Sequence, residues 1–160
     1  MSGPAPPRAS AAPRARANRA LHPLAWALVG LLASQFLLGM ATNLYARLPP
    51  AVPGLHGNLD TRLGAAARWA LLHGPLELKI HVIVGLSIGA CAITLVVLAF
   101  RSRQPRWRPL ALLGLLMAAP AGVAGAAFLT YRQDNLYSLL MAAGFLAALL
   151  AYWAGLYLTR

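Results

Sequence analysis

LYSLLMAAGFLAALLAYWAGLYL, residues 136–158, runs for 23 positions without a charged side chain. A helix of that length, rising about 1.5 Å per residue, covers the ~30 Å hydrocarbon core of a bilayer. Three similar apolar runs precede it, at 24–44, 76–100 and 109–129. The reading is all-α: a four-transmembrane-helix bundle, multi-pass in a bacterial plasma membrane, with the lipid bilayer as its first partner.

Composition agrees. Of 160 residues 59% are hydrophobic and 11% charged, against about 25% charged in ordinary soluble domains. Net charge is +11, from 14 Lys and Arg against 3 acids. The arginines fall in the tail and between the spans, so this charge speaks of topology and no nucleic-acid partner is expected. The lone Cys91 excludes an intrachain disulfide and any Cys-x-x-Cys redox motif.

Basic residues set the orientation. Arg8, Arg14, Arg16 and Arg19 precede the first run, Arg101, Arg103, Arg106 and Arg108 surround the second connection, and Arg160 ends the chain. Such residues collect on the cytoplasmic side, so both termini are expected to be cytoplasmic. Residues 1–21, rich in Ala, Pro and Arg, read as a disordered basic cytoplasmic tail, and 22–160 as the four-helix membrane domain. Gly39 and Ala41 would suit a signal-peptide cleavage site, but the run before them is too long for one. Trp26, Tyr45, Trp69, Trp107, Tyr131, Tyr137, Trp153 and Tyr157 lie at or near run ends and read as interfacial anchors.

The connection 46–74 is the one long outer loop. Asp60 is expected to cap a short interfacial helix over about 61–73, whose Arg62 and Arg68 reach lipid headgroups. Pro75 then opens the second span.

Polar groups inside spans are the clue to function. Glu77 and His81 are four apart and share a helix face that continues through Gly85 and Gly89. On span one, Gln35, Gly39 and Asn43 repeat at the same spacing. Counting residues from the span ends puts Asn43 level with His81, so Glu77, His81, Asn43 and Gln35 form the candidate polar cluster. A Glu77–His81 hydrogen bond would fix the imidazole tautomer. Span three carries Gly114, Ala118, Gly122 and Ala126 at four-residue spacing around Pro120, a kink candidate, and span four carries Gly144, Ala148 and Tyr152. These are packing stripes. No serine–histidine, metal-cluster or phosphate-loop signature is present, so the sequence points to no catalytic residue.

Three stretches carry a resemblance: Gln35 to Tyr45, His73 through Gly85, and Gly125 through Met141. Together they resemble a family of small, uncharacterised four-helix membrane proteins of Gram-positive bacteria, over roughly 24–158. That implies fold and membrane location and no activity. Related members carry Asn where this chain has Gly125. Gln35, Gly39, Glu77 and His81 are also similar to one half of haem A synthase, which implies haem b on His81. Spans one, three and four hold no histidine, so a second ligand would be His73, His56, Met40 or another copy of the chain.

The leading expectation is a non-enzymatic or accessory membrane subunit, in a larger membrane complex or a homo-oligomer. The alternatives are a haem- or quinone-linked electron-transfer module, with His81 and His73 as candidate ligands, and a small proton-coupled transporter subunit using Glu77 and His81.

Overall fold

The computed structural model describes the backbone of residues 11–159 and the side chains of 19–159. Five helices follow one another: α1 (Ala11–Tyr45), α2 (Leu59–Leu72), α3 (Leu76–Arg101), α4 (Trp107–Thr130) and α5 (Asn135–Leu158). Four of them, with α1 counted from Arg19 to Tyr45, are long and apolar enough to cross a membrane.

α1 begins at Ala11, so helix covers residues 11–21, which composition assigned to a disordered tail. Alanine and arginine are strong helix formers, and a formed span extends more cheaply than a new helix nucleates. The rest of that tail lies outside the described residues.

The spans form a closed ring. α1 touches α3 and α5, and α4 touches α3 and α5, while the backbones of the diagonal pairs stay more than 8 Å apart among the described residues and meet only through side chains such as His22 and Trp107. The core runs along the half of the bundle nearest the α3–α4 connection, through Leu21, Ala25, Leu28 and Leu32 of α1, Ile88, Ala92, Leu95 and Ala99 of α3, Trp107 and Ala111 of α4, and Ala148, Tyr152 and Leu156 of α5.

Glycine decides how closely α4 and α5 approach. Tyr152 is fully buried, and its ring occupies the place a Cβ on Gly114 would take. The Trp107 ring fills the corresponding place beside Gly155, and Gly144 lets α5 reach the Met117 carbonyl, which a Cβ would meet at 2.8 Å. Trp107 is fully buried, so it is a core residue rather than an interfacial anchor. The small-residue stripe on α4 is real only at its start: Gly114 is buried, but Gly122 is exposed with open space where a Cβ would stand. A four-residue step overshoots the 3.6-residue turn by about 40°, so the stripe rotates out of the interface. α4 stays helical through Pro120.

At that same end of the bundle Thr159 donates to the Gly155 carbonyl (2.6 Å) and therefore accepts from His22 Nε2 (3.2 Å), tying α1 to the end of α5. Arg106 Nη1 donates to the Leu158 carbonyl (3.2 Å), placing a cation at a helix C-terminus, where the dipole favours it.

At the opposite end of the bundle α2 packs on α3 and α4. Val52, Ala66, Ala70, Leu78 and Leu129 form a second, smaller core there. The N-cap is Asn58, whose side chain accepts from Thr61 N (3.0 Å). The expected cap, Asp60, lies in the first turn instead, where its charge suits the dipole. Arg62 stacks over Tyr131 at 5.3 Å, and Tyr131 stacks on Tyr137. Arg62 is thus held by the protein, while Arg68 is exposed. In the α4–α5 turn Arg132 and Gln133 both take left-handed backbone conformations (φ 56° and 65°). Gln133 pins the turn to the Pro49 carbonyl (2.9 Å), and Asp134 caps α5 through Leu136 N (2.8 Å).

Candidate functional site: a polar interlock between α1 and α3

Two side chains expected in one cluster do meet. Gln35 is 4% exposed. Its Nε2 donates to the His81 backbone carbonyl at 3.0 Å and lies 3.2 Å from His81 Nε2. The carbonyl can only accept, so it is the amide NH2 that faces this side. Its second hydrogen then points at ring Nε2, which must be the acceptor. The arrangement therefore specifies a neutral imidazole with its proton on Nδ1.

Each partner sits on a glycine of the other helix. A Cβ on Gly39 would lie 3.2 Å from His81 Cε1, and a Cβ on Gly85 would lie 3.2 Å from Gln35 Nε2. Gln35 and Gly39 are four apart on α1, as are His81 and Gly85 on α3. Because the polar residue of each pair faces the glycine of the other, the helices run antiparallel and the contacts cross. The same element, a long polar side chain followed one turn later by glycine, is used twice.

The other expected members stay outside. Glu77 and Asn43 are exposed. Gln35, not Glu77, is the partner of His81, and His81 Nδ1 has no partner among the described residues. His81 lies level with Gly39 rather than Asn43. Residue counting placed it wrongly because the register is fixed by which glycines admit the two polar side chains, and α1 runs on to Tyr45 beyond that point. His73 is exposed at the C-cap of α2 and lines a groove with α2 residues and the Pro53–Gly54 turn.

A haem fits these residues poorly. The ring nitrogen a haem iron would need, Nε2, is turned to the Gln35 amide. α4 and α5 bring no histidine, and among the described residues no group of three His, Cys, Asp or Glu could hold a metal ion. Gln35 Oε1 and His81 Nδ1 are buried without partners among the described residues, one an acceptor and the other a donor. Such atoms are commonly served by a buried water.

Sequence reasoning missed the cluster of His22, Trp107 and Thr159: His22 meets Trp107 edge-on at 5.7 Å and bonds Thr159. Pattern within a span could not reveal this, since the three come from α1, the start of α4 and the C-cap of α5.

No protein-family model, curated protein or solved structure matches this chain.

Proposed function

We propose that this chain is a non-enzymatic accessory subunit of a larger assembly in the bacterial plasma membrane, with both termini cytoplasmic. The observation that carries this reading is how its interior polar groups are used. Gln35 and His81 bind each other across two helices, and Glu77, Asn43 and His73 do not converge on them. A reaction centre needs several polar groups aimed at one shared space. Here the interior pair is aimed at itself, as interhelical hydrogen bonds in membranes usually are.

The outward faces support a partner. Ser34 on α1 and Ser87 and Thr94 on α3 are exposed, each bonding back to the carbonyl four residues earlier. Gly30 is exposed beside Ser34, with open space around it. Small and hydroxyl residues on a lipid-facing surface let a further helix approach closely. The arginine distribution supports the orientation.

The test is the size and colour of the protein extracted from its own membrane in mild detergent. We expect a colourless particle containing at least one other protein chain in fixed stoichiometry. A single 16.9 kDa chain in its micelle, or an assembly of this chain alone, contradicts the accessory role. So does a Soret band that His81→Ala abolishes.

A further inference from the structure

Between α2 and the turn at Pro53 and Gly54 lies an open groove of about 310 Å³. Ala65, Arg68, Trp69 and Leu72 of α2, with His73 at its C-cap, form one wall. The first four recur at i, i+3, i+4 and i+7 and so lie on one helix face. No carboxylate lines the groove. Neither the Arg68 guanidinium nor the His73 ring has a hydrogen-bond or ion-pair partner among the described residues.

We propose that this groove is a phospholipid headgroup site. Arg68 and the His73 ring take the phosphate of an anionic outer-leaflet lipid, and Leu72 takes the start of an acyl chain. The inference rests on the four helices crossing a membrane in the orientation proposed above and not on the accessory role.

The chemistry fits a lipid better than a free anion. A guanidinium and an imidazole offer N–H donors to phosphate oxygens, and Arg in particular matches them in pairs. The indole of Trp69 is at home where one end of a ring is apolar and the other wet. Leu72 is 57% exposed, and the next exposed apolar side chains along the chain are Leu76 (68%) and Ile80 (40%), at the start of the α3 span. Apolar surface thus continues from the groove toward the hydrocarbon, which a soluble phosphate would not need. Arg62, the other cation of α2, is occupied on Tyr131, which leaves Arg68 as the arginine that α2 turns to this groove.

The test is native mass spectrometry of the purified full chain titrated with phosphatidylglycerol or phosphatidylcholine. Three proteins are compared: wild type, the groove variant Arg68→Gln/His73→Gln, and an inner-rim control, Arg101→Gln/Arg108→Gln. We expect one phosphatidylglycerol to be retained in preference to phosphatidylcholine. The groove variant should weaken that binding about tenfold, as loss of charge-assisted hydrogen bonds implies, and the control should keep it. Should the double variant not fold, Arg68→Gln alone at an exposed position carries the same comparison. Equal retention by wild type and groove variant overturns the proposal, as does loss in the control. If inorganic phosphate alone binds the groove as tightly as the lipid, the site reads a soluble anion and the lipid assignment fails.

Discussion

Gly114→Leu is expected to be the most damaging single substitution in this chain. Its Cβ would coincide with ring atoms of Tyr152, which is fully buried between α4 and α5. The far end of a flexible side chain could yield, but an enclosed aromatic ring cannot. Overpacking a well-filled interior usually costs about 1–3 kcal/mol, and a clash with an immobile ring belongs at or above the top of that range. The expected readout is a large drop in the thermal unfolding midpoint in detergent, or loss of folded protein altogether. Tyr152→Phe should not rescue it, because the ring remains. Tyr152→Ala should rescue it in part by opening the space that leucine needs. A Gly114→Leu protein as stable as wild type would mean that α4 and α5 are not packed through this glycine.

The second large effect is expected at Gly39. His81 leans on this residue, and a Cβ alone would stand 3.2 Å from its Cε1. Alanine is a mild insult, since a shift of a few tenths of an ångström accommodates it. Leucine must displace the imidazole, which then leaves the Gln35 amide. The cost combines overpacking with loss of an interhelical hydrogen bond, together about 2–4 kcal/mol. Gly85→Leu should act alike from the other side by driving out Gln35, whose Nε2 would lie 3.2 Å from its Cβ. Gly122→Leu is the matched control, because that glycine faces open space. Unfolding midpoints should fall strongly for Gly39→Leu and Gly85→Leu and hardly for Gly122→Leu.

The four spans were legible because apolar length is a local property, visible in any window of the chain. The candidate site was legible only in part. Gln35 and His81 stood out as polar residues where lipid was expected, and the glycines four residues after each were visible too. Their meeting was not, because it depends on the register between α1 and α3, and two helices can slide by a turn without changing either sequence pattern. Glu77 looked like the natural partner of His81 at i, i+4 spacing. A helix-end carboxylate, however, gains more from water and the dipole than from burial beside an imidazole. Trp107 shows the same limit: its place at a span end suggests an anchor, and only the approach of Gly155 makes it core. Composition rich in Pro and Arg signals disorder over 1–21, while α1 begins at Ala11, since residues continuous with a stable helix can be recruited into it.

The central claim is that Gln35 and His81 serve each other as a lock between two helices. A double-mutant cycle on unfolding free energy, with Gln35→Ala, His81→Ala and the pair, measures this most directly. A coupling of about 0.6–2 kcal/mol is expected, so that the double variant is little worse than either single one. Additive losses would contradict it, because they would mean that each side chain is held by something other than its partner.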